Sequence, residues 1–350
     1  MAFDFANVLE TLLEKKPLTR EQVRLSFGQL MEGKLSPVQT AALLMALRLK
    51  GETVDEITGA AEAMRAAAVP ISFNAEAIVD TCGTGGDGQG TFNISTAAAF
   101  VVAGSGFVVA KHGNRSISSH CGSADILEEL GIPVEHDARV VEYCLAKVGI
   151  AFLFAPTFHP AMKNAMPVRK ELGVRTVFNL LGPLTNPLRP NVQLVGVYDP
   201  VWLGPVAKVL VQLGCQNGFV VHGEGHDEII LSGPTQVAEI REGRVHMQIW
   251  NPKNFGLTRQ NDSLTGGTTR QQRAKTLMKI LKGERSPLRD AVCMNAAAAI
   301  LAATRQLSGA GPSLDLKDTF AIAQNSLDEG KALAKLEGLR VAVQTAGKNG

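Results

Sequence analysis

Three loops of this 350-residue chain carry residue types suited to a polyanionic ligand. The first runs Gly83-Thr84-Gly85-Gly86-Asp87-Gly88-Gln89-Gly90, with glycine at five of eight positions. Glycine lets a backbone turn sharply or approach a ligand closely, at an entropic cost. Thr91 and then Asn93-Ile94-Ser95-Thr96 follow, opening an Ala-rich helical stretch. Amides exposed at a helix start, with the positive end of the helix dipole, suit an anion. Gly83, Gly85 and Gly88 match G-x-G-x-x-G, but a dinucleotide site wants an acid about 20 residues further on. No Asp or Glu occurs from Gly88 to Ala124, and the Walker pattern is absent.

The second loop is Lys111-His112-Gly113-Asn114-Arg115-Ser116-Ile117-Ser118-Ser119. Two cations, three hydroxyls and a run of amides fit several phosphate oxygens better than one carboxylate. The plain alternative is a solvated basic loop ahead of a helix starting at Ser123. The glycine loop and the acid-free stretch beside it argue against that reading.

The third loop is His222-Gly223-Glu224-Gly225-His226-Asp227-Glu228, between two apolar runs. Magnesium takes one or two carboxylates and completes its shell with water and substrate oxygens. Adjacent Asp227 and Glu228 diverge in a strand but can converge on an ion in a loop. A solvated acid pair is the alternative; a place after a strand in an α/β layout favours the ligand reading. His222-x-x-x-His226 is no zinc pair, because Gly223 and Gly225 spoil the helix such a pair needs. A fourth stretch, Phe154–Pro187, is broken by Pro156, Pro160 and Pro167. In it Arg169 and Arg175 are candidate anion clamps, and Phe154, Phe158 and Met162 a candidate apolar wall. On spacing alone, an arginine on a solvated helix face fits equally well.

Composition narrows the classes. With 45% hydrophobic residues, 19% charged and a formal net charge of +2, the chain is globular without a broad nucleic-acid-binding or membrane-binding surface. Five widely spaced cysteines without C-x-x-C support neither disulfides nor a cysteine zinc site. The start lacks a signal-peptide layout and no apolar run reaches 18 residues, so a reducing cytoplasm is expected.

The elements that must position these loops are legible in outline. Thr19-x-x-Gln22, Ser36-x-x-Gln39 and Thr53-x-x-Glu56 fit the capping box, and Pro37 falls at a first helical position. Helices are predicted near 5–15, 20–32, 37–49 and 54–68, with Ala41, Leu44, Met45 and Leu49 as one apolar stripe. A helical packing or dimerisation unit is the reading for this region. From Ala77, strand-like runs at Ile78–Thr81, Phe107–Ala110, Ile150–Phe154, Gln193–Tyr198 and Gly218–Val221 alternate with helical stretches at Ile94–Ala103 and Ala124–Leu130. That alternation predicts an α/β layout around a mostly parallel sheet. Val237–Ile249, around Arg241-Glu242-Gly243, reads as an antiparallel hairpin. Arg270 to Leu339 returns to helices, and the final Gly-Lys-Asn-Gly is predicted to fray.

GTGGDG, FNIST, KHGNRSISS with GSADILEELG, HPAMK, PVRKELGVRTVFNLLGPLTNP and HDEI resemble, in this order, the motifs of the anthranilate phosphoribosyltransferase family of tryptophan biosynthesis. The resemblance covers nearly the whole chain. It implies a helical domain at 1–73, joined by a returning segment near 165–190, and an α/β domain at 74–350 of the nucleoside-phosphorylase and phosphoribosyltransferase type. It implies a homodimer formed through the helical domain, small-molecule substrates, and neither nucleic acid nor membrane as partner. Gly83, Gly86, Asp87, Thr91, Asn93, Ile94, Ser95, Thr96, Lys111, His112, Gly113, Asn114, Arg115, Ser116, Ile117, Ser118, Ser119 and Ser123 would surround phosphoribosyl pyrophosphate. Gly83, Asn114 and Arg169 would contact anthranilate. Ser95, Asp227 and Glu228 would bind magnesium, two ions per subunit, and Lys111, Asp227 and Glu228 would serve catalysis. The rivals are a pyrimidine nucleoside phosphorylase-like enzyme and a non-catalytic paralogue.

Overall fold

The computed structural model describes residues 3–85, 88, 90–116, 121–260, 264–308 and 314–348. Its first elements are four helices: α1 (Phe5–Leu13), α2 (Arg20–Met31), α3 (Pro37–Lys50) and α4 (Val54–Ala66). All three capping boxes form, at Thr19, Ser36 and Thr53, and Pro37 stands at the first helical position. The Asp4 side chain caps α1, a start signal that the capping-box pattern does not include. The α3 stripe differs from expectation. Thr40, Leu43, Leu44 and Leu47 face inward, while Leu49 is 81% exposed. A step of three or four residues can be started on either of two faces when the helix carries apolar groups around much of its girth.

The α/β portion follows as β1 (Ile78–Gly83), α5 (Ile94–Gly104), β2 (Val108–Gly113), α6 (Ser123–Glu129), α7 (Ala138–Val148) and β3 (Ile150–Phe154). Short helices α8 (Ala155–Phe158), α9 (Met166–Leu172) and α10 (Phe178–Leu181) fill the proline-broken stretch. Then come β4 (Val192–Gly196), α11 (Leu203–Gln212), β5 (Asn217–Gly223), β6 (Thr235–Arg241) and β7 (Arg244–Trp250). Four helices close the chain: α12 (Arg270–Leu281), α13 (Pro287–Ser308), α14 (Leu316–Asp328) and α15 (Lys331–Lys348). α15 carries Gly347 and Lys348 in helix rather than as a frayed end, and 349–350 lie outside the described residues.

The strands form one sheet in the order β3-β2-β1-β4-β5-β6-β7. The first five are parallel, and β6 and β7 are antiparallel. Glu242 (φ 50°) and Gly243 (φ 72°) make the two-residue hairpin turn, whose left-handed pair suits the strand twist. Side chains alternate between faces, as the strand period requires. Val192, Leu194, Phe219 and Val221 feed a core shared with α5, α7, α13 and α15. Val195, Val197, Val220 and Ala238 feed another, shared with α11, the first four helices and the 177–184 segment. All five cysteines are free and buried. Among the described residues, no helix is long and apolar enough to cross a membrane.

Candidate active site

β1 and β4 end together, with Gly83 in register with Gly196. From β1 the chain winds outward through β2 and β3, then returns on the other side as β4. Such a switch in direction opens a crevice beyond the carboxyl ends of the strands. Both ends are glycine because Asp227 lies across them. A Cβ on Gly196 would come within 1.6 Å of the Asp227 carbonyl oxygen, and one on Gly83 within 2.5 Å of Asp227 Oδ2. A cavity of about 450 Å³ occupies this crevice.

The three loops predicted from sequence converge on its wall. Gly83, Thr91, Asn93, Ser95, Thr96, Lys111, His112, Gly113, Asn114, Arg115, Ser116, Ser123, Arg169, Asp227 and Glu228 all line it. Ile94 does not. Its side chain is fully buried in the core, and its N–H donates to the Phe92 carbonyl. Gly86, Asp87, Ile117, Ser118 and Ser119 lie outside the described residues.

Charged groups at the strand ends are held by short-range contacts. The Gly85 N–H donates to Asp227 Oδ2 (2.9 Å), and the Ser95 N–H, in the first turn of α5, donates to Glu228 Oε1 (3.3 Å). Both carboxylates are buried, at 9% and 8% exposure. Lys111 Nζ donates to the Thr81 carbonyl (2.5 Å) and to Ser95 Oγ (3.3 Å). Burial pulls the Lys111 pKa down, against the raising effect of nearby Asp80. Asp80 is fully buried and accepts from the His112 N–H (3.3 Å) and Asn186 Nδ2 (2.9 Å). Burial lifts its pKa to about 6, opposed by Lys111 and these hydrogen bonds. Asn186 also donates to the Ala110 carbonyl (2.8 Å), fixing the approach to Lys111.

The donor set fits magnesium. Among the described residues no group of three or more His, Cys, Asp or Glu side chains could cage a metal by itself. Two carboxylates with the Ser95 hydroxyl beside Lys111 offer hard oxygens only, too few to complete a shell. That matches an ion whose remaining ligands are water and substrate phosphate oxygens.

The other end of the cavity is built differently. Arg169, on α9, places its guanidinium over the Phe178 ring (4.9 Å) and 3.7 Å from Met166 Sδ. Burial lowers its pKa. Ala155, Phe178 and Pro183 form the apolar wall there. Phe158, in contrast to expectation, is wholly buried in the core, and Phe154 lies under the Arg115 guanidinium (4.6 Å). Met162 packs against the core shared with the first helices. The proline breaks turn this segment's apolar groups in different directions, which a linear reading does not resolve. Arg175 stacks on Tyr198 (4.0 Å) and does not line this cavity. Arg115 lines it, but Glu128 (2.6 Å) and Glu135 (2.8 Å) engage its guanidinium and raise its pKa. Those acids lie just beyond the acid-free stretch.

His112 joins the two ends. Its ring Nδ1–H donates to the Gly182 carbonyl (3.2 Å), and its ring lies 5.2 Å from that of His159. Burial pushes the two pKa values to about 3 and about 4, so both rings are neutral near pH 7. Asp80, Asn186 and Arg273 support the wall; Asn186 falls within the quoted PVRKELGVRTVFNLLGPLTNP run without a role assigned to it, and no motif marks Asp80 or Arg273. A lone Asp inside an apolar strand is the available signal for Asp80.

Two family models match the chain: the glycosyl transferase family helical bundle domain over residues 6–68, and the glycosyl transferase family a/b domain over residues 75–333. The anthranilate phosphoribosyltransferase of Pelotomaculum thermopropionicum is 49% identical over 334 residues, covering 95% of each chain. The crystal structure of anthranilate phosphoribosyltransferase from Thermus thermophilus superposes with a TM-score of 0.89 at 43% identity, over 96% of this chain and 99% of that one. The Saccharomyces cerevisiae enzyme in complex with PRPP and Mg gives a TM-score of 0.85 at 28% identity, over 97% and 98%. With the family models, a relative of this similarity and one superposable fold spanning almost all of its length, the chain belongs to the anthranilate phosphoribosyltransferase family.

Proposed function

We propose that the chain transfers the phosphoribosyl group of 5-phosphoribosyl 1-pyrophosphate to the amine of anthranilate. The products are N-(5-phosphoribosyl)anthranilate and pyrophosphate, in L-tryptophan biosynthesis. The observation that carries this reading is one cavity holding phosphate donors and a carboxylate pair at one end and an arginine against an aromatic ring at the other. The amine lone pair forms the N–C1 bond as the C1–O bond breaks, and the bonding electrons leave with pyrophosphate. The amine proton passes to pyrophosphate or solvent. His112, with a pKa of about 3, is a poor proton acceptor at neutral pH.

Lys111 holds the diphosphate together with donors of the glycine loop; the α5 start contributes side chains rather than amides, since its Ile94 and Ser95 N–H groups bond the Phe92 carbonyl and Glu228. Lys111 acts most strongly in the transition state, where leaving-group charge grows. Asp227, Glu228 and Ser95 would hold magnesium, two ions per subunit, which would supply further positive charge to the leaving group. Gly86, Asp87, Thr91, Asn93, Thr96 and the Lys111–Ser119 loop with Ser123 complete the phosphoribosyl end. Arg169 takes the anthranilate carboxylate, and Asn114 and Gly83 orient the aromatic acid. Incubation with both substrates and magnesium should deplete anthranilate fluorescence. Phosphate-dependent cleavage of pyrimidine nucleosides instead would favour the phosphorylase, and neither reaction the non-catalytic paralogue.

The working unit in this reading is a cytoplasmic homodimer. Leu13, Val38 and Leu49 are 66%, 79% and 81% exposed on the first helices, apolar area that a second copy would cover. The helical unit comprises 1–73 with the segment near 165–190, and the α/β unit 74–350. Light scattering at micromolar concentration should report about twice 37.2 kDa. A monomer that is fully active would remove the dimer.

A further inference from the structure

Gly90 and Thr91, at the end of the glycine loop, are held by a distant part of the chain. Thr91 lines the cavity, and Gly90 and Thr91 are both bonded to the start of α12, 183 and 182 residues further along the chain. Phe92 N–H donates to the Leu264 carbonyl (2.5 Å). Gly266, at φ 58°, lies so close to Phe92 that a Cβ there would sit 2.4 Å from its ring. Thr276 Oγ1 donates back to the Gly266 carbonyl (2.8 Å).

Arg273 fastens the two segments together. It is 1% exposed, in the first turns of α12. Its guanidinium donates to three main-chain carbonyls: Gly267 (Nε, 3.0 Å), Thr91 (Nη1, 2.7 Å) and Gly90 (Nη2, 2.5 Å). A planar fork of five N–H donors can meet such a set at once, whereas an ammonium cannot match its geometry.

The direction of these bonds bears on chemistry. A phosphate site needs N–H groups facing in and carbonyl oxygens facing away. In a planar trans peptide the C=O and N–H lie on opposite edges. Drawing the Gly90 carbonyl toward α12 therefore turns the Thr91 N–H the other way. It also keeps two dipole-negative oxygens off an anion and places a cation behind the loop.

We infer that Arg273 is a positioning residue for the pyrophosphate-binding loop, setting its carbonyls away from the diphosphate through the Gly90 and Thr91 main chain. This rests on the reading of that loop as the diphosphate site. Arg273 does not line the cavity, so its removal should act through the loop, on one substrate and not the other.

The test measures phosphoribosyl pyrophosphate binding with magnesium, calorimetrically and without anthranilate, together with both Michaelis constants and the melting temperature. Arg273→Met should weaken phosphoribosyl pyrophosphate binding at least roughly tenfold, while the anthranilate constant stays within about twofold. Arg273→Lys, which keeps the charge and loses the fork, should show the same split at smaller size. Gly266→Ala, which presses residues 264–267 off Phe92 without touching any cation, gives a third route to the split should Arg273→Met not fold. Arg289→Met serves as the control. Arg289 is equally buried and paired with Asp328, on helices that do not line the cavity. It should lower the melting temperature and leave both constants alone. Equal rises in both constants for the Arg273 variants, or a lower melting temperature with wild-type binding, would overturn the inference. Wild-type protein that fails to bind phosphoribosyl pyrophosphate would overturn the reading beneath it instead.

Discussion

The two ends of the cavity solve different problems. At the strand ends, Lys111, Asp227 and Glu228 are buried, and each is tied to the main chain by hydrogen bonds of 2.5 to 3.3 Å. At the far end, Arg169 rests on the Phe178 ring and a methionine sulfur, on a helix of seven residues. A diphosphate with its metal brings several charges whose stabilisation depends on groups already in place before the bond breaks. A monocarboxylate on an aromatic ring needs one bidentate partner and an apolar wall, and an arginine that adjusts on binding suffices. In the proposed reading, the end with more main-chain hydrogen bonds is the one where charge develops during reaction.

The sharpest way to break this contrast is at the acid pair. Asp227→Asn with Glu228→Gln should lower turnover by roughly three orders of magnitude, since both carboxylates expected to hold the metal lose their charge. The amide contacts from Gly85 and Ser95 need only an acceptor oxygen, so circular dichroism should report an intact fold. Full wild-type activity in excess chelator would remove the metal from the account.

Lys111→Ala comes next, with a drop of about a hundredfold in turnover and a raised constant for phosphoribosyl pyrophosphate. It also leaves Asp80 buried without its nearest cation, which costs stability by itself. Asp80→Asn in the same chain should restore the melting temperature and not the turnover. Recovery of both would make Lys111 a structural partner only.

How far these parts can be read from sequence follows from how local their causes are. Thr19, Ser36 and Thr53 signal helix starts through bonds spanning three residues, so their caps are legible. The glycine loop, the basic loop and the Asp227–Glu228 pair are legible because each is a cluster along the chain. That Gly83 and Gly196 end side by side under Asp227 depends on strand order, which no single segment encodes. Arg273 reaches the Gly90 carbonyl across 183 residues, and nothing near it in sequence marks it. The inward face of α3 departs from the predicted stripe because only tertiary packing chooses between two apolar faces.

Arg169→Ala probes the end built on the Phe178 ring. Loss of a charge-assisted contact costs about 1.5–3 kcal/mol, or roughly ten- to a hundredfold in apparent anthranilate affinity. The phosphoribosyl pyrophosphate constant should change less than about twofold. The reverse pattern, with only the phosphoribosyl pyrophosphate constant raised, would mean that the two ends are assigned backwards.

The smallest effect concerns the joint between the ends. His112, on β2, donates to the Gly182 carbonyl, and His159 bonds the Thr185 main chain, so two neutral rings tie the phosphate end to the segment carrying Phe178. Burial holds both folded pKa values below the ordinary histidine value of 6.5, at about 3 and about 4. The unfolded chain therefore binds more protons than the folded one below about pH 6.5, and their contribution is lost as pH falls toward 4. Asp80 opposes this. Its folded pKa, raised to about 6, makes the folded chain bind the extra proton, so its contribution grows as pH falls from 6 toward the ordinary value of 3.8. With two groups against one, the melting temperature should fall by roughly several degrees between pH 7 and pH 5. His159→Gln, which keeps a donor for Thr185 but cannot titrate, should flatten that slope. Asp80→Asn should steepen it, because the opposing group is gone. A slope unchanged in both variants would place the acid sensitivity elsewhere and leave the two ends joined by packing rather than by neutral imidazoles.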